Sequence, residues 1–237
     1  MDLKEEHLLG DQVETHWYYR AKRSALLAAT RNVPATHVLD IGAGSGYFSR
    51  ALIRAGRTQR ATCVDLGYPG DSDALESGAP ISFRTDITRS DADLVLMMDV
   101  IEHVPDDVAL VRDYAAKVAP GTHVLVTVPA FMWLWSGHDV FLEHYRRYTL
   151  IGIEAVLRKA GLEIVAGHYF YGGVLPMVAA VRAVRRLTRA GQAPASDMGR
   201  LPAPANALLA GLCAAEVPVM RFNRLGGTTA MVLARRG

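Results

Sequence analysis

The stretch that most constrains the fold is residues 38–49, which read VLDIGAGSGYFS. A short apolar strand runs through an aspartate, glycines follow at alternate positions, and a helix then begins. The glycines at 42, 44 and 46 let the backbone turn sharply and approach a ligand without a Cβ in the way. Such a strand–loop–helix unit predicts an α/β domain with a ligand bound beyond the carboxyl end of its first strand.

The hydrophobic pattern of the remaining chain agrees with this class. Residues 93–98 form a continuous apolar run, which is typical of a strand buried on both faces. Strands are predicted at 37–41, 61–65, 81–84, 93–98, 123–128, 163–169 and 228–234. Helices are predicted at 13–30, after the glycine loop to about 55, and at 105–118, 150–160 and 201–220, with a Pro/Ala/Ser linker at 191–204. Strands that alternate with helices predict a mainly parallel sheet with helices on both faces.

Two ligand classes use glycine loops of this kind, a dinucleotide pyrophosphate and S-adenosylmethionine. The dinucleotide fingerprint GxGxxG would place its third glycine at position 47, which is Tyr47 here. Asp40 instead stands two residues before the first glycine. A carboxylate there would repel a pyrophosphate and suits a ligand that carries an ammonium and a sulfonium group. The loop therefore favours S-adenosylmethionine, with a nicotinamide dehydrogenase as the alternative.

Motifs from 38 to 128 follow in the order seen in class I S-adenosylmethionine-dependent methyltransferases, which this region resembles. The resemblance implies that Asp65 accepts the ribose hydroxyls, and that Asp86 and Ile87 contact the adenine. The segment MMDVIEHVPDD, 97–107, resembles a motif of small-molecule methyltransferases. The implied cofactor-binding residues are Trp17, Arg20, Asp40, Gly42, Ala43, Gly44, Gly46, Asp65, Leu66, Asp86, Ile87, Asp99, Val100 and His103.

The resemblance also implies an architecture. We expect a doubly wound, Rossmann-like seven-stranded sheet in a single domain, with the last strand antiparallel. An N-terminal lid helix would occupy 1–34, the cofactor-binding core 35–170, a helical insertion 171–222 and the final strand 223–237. The lid segment ETHWYYRAKR is similar to that of a narrower bacterial group, and it either closes over the cofactor or packs on the sheet edge.

The segment after the fifth strand, 131–148, combines apolar and polar side chains where α/β sites lie. It resembles the substrate region of ubiquinone-type O-methyltransferases. His138, His144 and Asp139 are the candidate catalytic residues. The candidate substrate-binding residues are Trp133, Trp135, Arg146, Arg147 and Tyr148. The alternative is structural, with the aromatic residues in the core and the arginines in surface salt bridges.

Asp99, Glu102 and His103 form a D-x-x-E-H cluster. A matching cluster in ubiquinone-type O-methyltransferases is associated with a divalent cation. Hard-cation sites usually draw more carboxylates than this. We therefore expect no metal here and a local hydrogen-bonding role for the histidine.

Four arginines at 182, 185, 186 and 189 form one stripe on a helix at 174–189, beside an apolar stripe. Such a helix is either a solvated face or a contact to an anionic membrane or lipid-linked substrate. A net charge of +2 argues against a nucleic-acid partner. Two separate cysteines and an N-terminus without an apolar region predict a reduced, cytoplasmic protein. A homodimer is a further expectation.

The sequence thus predicts transfer of a methyl group from S-adenosylmethionine to a small molecule. The (N/D)PP(Y/F) signature of amino-group methylation is missing, and the matching stretch reads MDVI. An oxygen acceptor is therefore favoured, with nitrogen and carbon open. A cofactor-binding scaffold that has lost catalysis and a nicotinamide dehydrogenase are the alternatives.

Overall fold

The computed structural model describes residues 9–188, 193, 196, 197, 199 and 201–237. The strands are β1 His37–Ile41, β2 Arg60–Val64, β3 Ser72–Glu76, β4 Ala79–Arg84, β5 Leu94–Met98, β6 His123–Pro129, β7 Leu162–Phe170 and β8 Thr229–Arg236. The helices are α1 Trp17–Ala29, α2 Tyr47–Arg54, α3 Asp107–Ala116, α4 Gly137–Phe141, α5 Leu150–Lys159, α6 Leu175–Thr188 and α7 Ala203–Glu216.

All eight strands form one sheet in the order β3-β4-β2-β1-β5-β6-β8-β7. The five neighbouring strands β4, β2, β1, β5 and β6 run parallel to one another. Strand β8 lies between β6 and β7 and is antiparallel to both. The chain winds outward from β1 in one direction, then returns to β5 and winds in the other. A topological switch point therefore lies between β1 and β5, and the crevice beyond their carboxyl ends is where such sheets bind ligands.

The local sequence explains the central elements. Strands β1 and β5 are buried along their whole lengths, as a parallel strand covered by helices on both faces must be. One core cluster packs α1 and α2 on one face, and a second packs α3 and α5 on the other. Helix α5 begins after Thr149, whose hydroxyl accepts the Gly152 N–H.

The predicted seven-stranded sheet is wrong by one strand. Strand β3 adds antiparallel to β4 at the edge, through a two-residue turn at Ser77 and Gly78. Both turn residues have positive φ, +49° and +82°, as a type I′ hairpin requires. The Ser-Gly dipeptide was the available signal, but β3 is mostly exposed and carries no apolar pattern.

Some helices and strands begin or end a few residues away from their predicted positions, for identifiable reasons. Helix α3 begins at Asp107 rather than Pro105, because the Asp106 side chain caps it by accepting the Ala109 N–H. Six of the fourteen positions of the predicted linker 191–204 lie outside the described residues, as do Arg189 and the first eight residues. None of the helices in the described ranges is long and apolar enough to cross a membrane.

Candidate active site

The glycine loop lies at the switch point, between β1 and α2. Gly42, Gly44 and Gly46 have φ values of +63°, +56° and +75°, a region that side-chain-bearing residues rarely adopt. A Cβ on Gly42 would lie 2.8 Å from Cγ2 of Val100, so the segment after β5 packs directly against the loop. Ala43 is buried, and its N–H donates to the Val64 carbonyl. The loop thus presents backbone to the crevice, as the binding of S-adenosylmethionine requires.

Asp40 does not face that crevice. It is 1% exposed, and its carboxylate accepts the Ser49 hydroxyl at 2.8 Å beneath the loop. Burial raises the pKa of Asp40 to about 6. The expectation that this carboxylate meets a cationic ligand directly is therefore corrected: Asp40 joins β1 to α2.

Asp65 follows β2 and stands beside the loop. Its two carboxylate oxygens accept the Gly44 N–H at 2.9 Å and the Gly67 N–H at 2.8 Å. The Tyr68 hydroxyl donates to the Gly44 carbonyl at 2.5 Å. The structure thus brings the predicted ribose residue to the glycine loop. Leu66, next in the chain, is 90% exposed.

The predicted adenine residues lie further away. Asp86 is exposed and pairs with Lys117 at 3.3 Å. Ile87 lines a separate surface groove of about 580 Å³, together with His37 and Arg236. The adenine contacts of these two residues stay a prediction.

A cavity of about 610 Å³ lies between the carboxyl edge of the sheet and helices α1, α6 and α7. Trp17 lines it from α1, and the Trp17 N–H donates to the Asn206 side chain of α7 at 2.8 Å. Arg20 is exposed and does not line the cavity. Asp99 and His103, both predicted cofactor residues, reach the cavity from the segment after β5. Apolar side chains of α6 and α7 form much of the opposite wall.

A buried polar cluster forms part of this cavity. One ligand atom each from Glu102, His103 and His144 lies within 4.8 Å of the others. The rings of His103 and His144 meet edge to face at 4.7 Å. Glu102 is fully buried, and neither carboxyl oxygen has a hydrogen-bond partner among the described residues. Burial raises the pKa of Glu102 to about 8.

These three residues are a geometric candidate for a metal ion, and Asp99 is not part of the group. The Asp99 carboxylate is instead engaged with the Lys22 ammonium of α1. A carboxyl group that stays protonated at neutral pH is a poor ligand for a hard cation. For this reason we still predict that the cluster binds no metal.

Asp139 lies at the centre of a charged network. It is fully buried and accepts from Nδ1 of His144 at 3.0 Å and from Nε of Arg147 at 2.6 Å. It also accepts the Ser136 N–H at 2.8 Å in a capping box that begins α4. Burial would raise the pKa of Asp139, but the hydrogen bond from His144 and the charge of Arg147 hold it far below its usual range. Asp139 is thus a residue that positions others.

His138 and His144, the two candidate bases, both line the cavity. Nδ1 of His138 accepts the Asp197 N–H at 3.1 Å, and burial lowers the pKa of His138 to about 4. His138 is therefore neutral at physiological pH. With Nδ1 of His144 donating to Asp139, its Nε2 is the proton acceptor. The pairing of His144 with Asp139 is the arrangement that orients a general base.

Four of the five predicted substrate residues do not line the cavity. Arg146 pairs with Asp107 at 3.1 Å, and the Tyr148 hydroxyl donates to the same carboxylate at 2.7 Å. The carbonyls of Trp133 and Trp135 accept from Arg186 at 2.5 and 2.8 Å. The structural alternative therefore describes Arg146 and the buried Tyr148, whereas Trp133 is 53% exposed and lies neither in the core nor in the cavity. Arg147 alone among the five lines the cavity.

The arginine stripe of α6 is also turned toward the protein. Arg182 is buried, pairs with Asp197 at 2.9 Å and donates to the Leu134 carbonyl. Arg185 pairs with Asp197 as well, and Arg186 holds the 133–135 segment. Arg189 lies outside the described residues. Arg182 is buried, Arg185 is half-buried and Arg186 is exposed. A solvated face therefore does not describe Arg182, and the contacts of the three arginines join α6 to Asp197 and to the 131–148 segment.

Sequence reasoning missed Lys22 and Arg182 as parts of the site. Lys22 is 1% exposed although it is a lysine on a lid helix. It lies within the ETHWYYRAKR segment, of which only Trp17 and Arg20 were given a role. Arg182 belongs to the arginine stripe of α6, and its partners depend on the path that the chain takes after α6. Only the fold reveals that both charges are buried beside carboxylates.

Comparison with known proteins agrees with this geometry. Residues 14–166, more than half of the chain, match the family described as Methyltransferase domain. Ubiquinone biosynthesis O-methyltransferase of Proteus mirabilis (strain HI4320) is 35% identical over 98 residues, which cover 37% of this chain and 39% of that protein. The chain thus matches about two fifths of the length of this curated relative.

Two solved structures resemble nearly the whole chain. One is a complex of the Haloferax volcanii Trm112 methyltransferase activator with a methyltransferase, with TM-score 0.57, 17% identity, and 99% of this chain and 94% of that chain covered. The other is a SAM-dependent methyltransferase from Archaeoglobus fulgidus, with TM-score 0.55, 14% identity, and coverage of 99% and 98%. At these identities the likeness shows the fold alone.

Proposed function

The chain belongs to the methyltransferase domain family and takes its methyl group from S-adenosylmethionine, and from this premise we propose that it methylates an oxygen of a small molecule held in the 610 Å³ cavity. The observation that carries the proposal is the His144–Asp139 pair, which faces this cavity beyond the switch point. The cavity is mainly apolar with a few convergent polar groups, as small-molecule sites usually are.

The bound donor supplies an electrophilic methyl group on a sulfonium, so the protein's part is to position the acceptor and take its proton. His144 accepts the proton of the acceptor hydroxyl at Nε2, while Asp139 holds the ring by its Nδ1–H. Arg147 keeps the Asp139 carboxylate ionised, and this favours the imidazolium that forms. His138 is neutral, and its Nδ1 accepts the Asp197 N–H in the same wall.

Two observations support oxygen over nitrogen. The matched relative is named as an O-methyltransferase, although only part of its length is covered. The residues after β5 read Asp99-Val100-Ile101, and they lack the paired prolines of amino-group methyltransferases. A base beside the acceptor is needed by a hydroxyl, which must lose its proton as the methyl group arrives.

The alternatives are not favoured. A dehydrogenase would need a glycine where the buried Tyr47 begins α2. A scaffold without catalysis does not require a histidine paired with a buried carboxylate at the cavity. The cytoplasmic location and the homodimer stay predictions.

The test is to incubate the protein with S-adenosylmethionine labelled with ¹³C in its methyl group and an extract of small metabolites. We expect a labelled small molecule whose methyl carbon has the NMR shift of a carbon bonded to oxygen. Label on nitrogen or carbon would contradict the oxygen acceptor. Label found only in protein or nucleic acid would contradict the small-molecule proposal.

A further inference from the structure

Lys22 and Asp99 form a buried ion pair at the border between the glycine loop and the cavity. Lys22 lies on α1 and is 1% exposed. Its ammonium pairs with the Asp99 carboxylate, whose side chain is 27% exposed. The Lys22 ammonium also lies 3.1 Å from the Tyr18 hydroxyl. A lysine is rarely buried this fully unless it is paired, so the pair is a built feature of the site.

Asp99 is held firmly in place. It follows β5 with a positive φ of +57°, a region that residues with a side chain adopt uncommonly. The Thr127 hydroxyl donates to its Oδ1 at 3.1 Å, while Lys22 takes Oδ2. Two different elements, β6 and α1, therefore fix the orientation of this carboxylate.

The pair stands between the glycine loop and the cavity. Asp99 lines the cavity, and the adjacent Val100 packs against Gly42 of the glycine loop. A donor held on that loop would have to direct its methyl group past this border to deliver it into the cavity. S-adenosylmethionine carries a positive charge on its sulfur, and its demethylated product does not.

We propose that Lys22 sets the preference of the site between S-adenosylmethionine and S-adenosylhomocysteine by balancing the charge of Asp99. An unpaired carboxylate at this border would favour the cationic donor, and an unpaired ammonium would favour the neutral product. The ion pair keeps both effects small. Lys22 is in this sense a positioning and specificity residue, because it acts through Asp99. The inference rests on the donor identity and not on the acceptor.

The test is calorimetric titration of each variant with both ligands, reported as the ratio of the Kd of S-adenosylhomocysteine to that of S-adenosylmethionine. Lys22→Met should raise this ratio by about tenfold, the effect of one charge at several ångströms in a half-buried site. Asp99→Asn should lower it by a similar factor, because the Lys22 charge then lacks its partner. Lys22→Arg, which keeps the charge, should restore the wild-type ratio.

Arg23→Met is the matched control, because Arg23 lies on the same helix and pairs with Glu14 on the surface. It removes the same charge outside the site and should leave the ratio unchanged. A purely structural role for Lys22 predicts that both ligands weaken equally, and an unchanged ratio in Lys22→Met and Asp99→Asn would overturn the proposal. If Lys22→Met does not fold, Asp99→Asn decides alone. Failure of the wild type to bind either ligand would overturn the donor assignment itself.

Discussion

At the scale of single residues, the site depends on buried carboxyl groups with opposite environments. Asp139 is surrounded by donors and stays ionised, whereas Glu102 has no donor among the described residues and favours its protonated form. Two carboxyl groups of the same site therefore differ in charge: Asp139 is an ionised positioning group, and Glu102 is neutral. Such divergent carboxyl groups are typical of catalytic sites.

Glu102 predicts a specific pH dependence of stability. Its pKa is about 8 in the folded chain against an ordinary value of 4.5, so the folded state binds the proton more tightly than the unfolded state. The resulting stabilisation is complete below pH 4.5 and is lost as the pH rises through 8. Between these limits the wild type should lose a few kcal/mol relative to Glu102→Gln, at about 1.4 kcal/mol per pKa unit. Urea unfolding of both proteins across this range measures it, and parallel pH profiles would contradict it.

Asp65 predicts the strength of donor binding. We expect Asp65→Ala to weaken S-adenosylmethionine binding by at least about 3 kcal/mol, because charge-assisted hydrogen bonds to the ribose and the bond to the Gly44 N–H are lost. Calorimetry measures this, with Asp113→Ala as a control at an exposed acid on α3. An unchanged Kd in Asp65→Ala would remove Asp65 from the cofactor site.

At the scale of elements, helix α6 and the 131–148 segment are joined into one unit. Arg182 of α6 reaches Leu134 and Asp197, and Arg186 reaches Trp133 and Trp135. The sequence pattern located α6 and the segment after β6 separately. It could not show that the arginines join them, because an arginine stripe looks the same on a solvated helix. The burial of Arg182 and the contacts of Arg186 depend on how α6 folds back over the carboxyl edge.

The contacts of Arg182 predict how much the link between α6 and the 131–148 segment contributes to stability. Arg182→Met should lower the free energy of unfolding by roughly 2–4 kcal/mol, since the Leu134 carbonyl and the nearby carboxylates lose a buried charged donor. Arg158→Met removes the i,i+4 pair between the exposed Arg158 and Glu154, which keeps its second partner Arg224, and should cost less than about 1 kcal/mol. Thermal unfolding of both variants compares them. Equal losses would show that the α6 arginines are not structural.

At the scale of the whole molecule, the parts of the fold that could be predicted are those with a strong local pattern in the sequence. The glycine loop, the fully buried β5 and the alternation of strands and helices all follow from apolar periodicity and glycine spacing. The β3 hairpin was not predictable, because β3 is mostly exposed and carries no apolar pattern. Lys22 was missed because its partner Asp99 lies 77 residues away in the chain.

From the arrangement of the whole site we predict that the protein is active without a divalent metal. Glu102 is protonated at neutral pH, and Asp99 is already paired with Lys22, so the cluster offers chiefly two imidazoles. Neither the turnover nor the melting temperature should change when a chelator is added. Loss of turnover that magnesium or zinc restores would contradict this and assign the cation to Glu102, His103 and His144.

The central claim is that His144 takes the acceptor proton in the cavity beside the donor. The most direct measurement is the single-turnover rate of methyl transfer in His144→Ala, with the acceptor identified by isotope labelling. The rate should fall by about 10²- to 10⁴-fold while the Kd of S-adenosylmethionine stays within about twofold. His123→Ala, at the opposite end of β6, should transfer at the wild-type rate. A wild-type rate in His144→Ala would contradict the account.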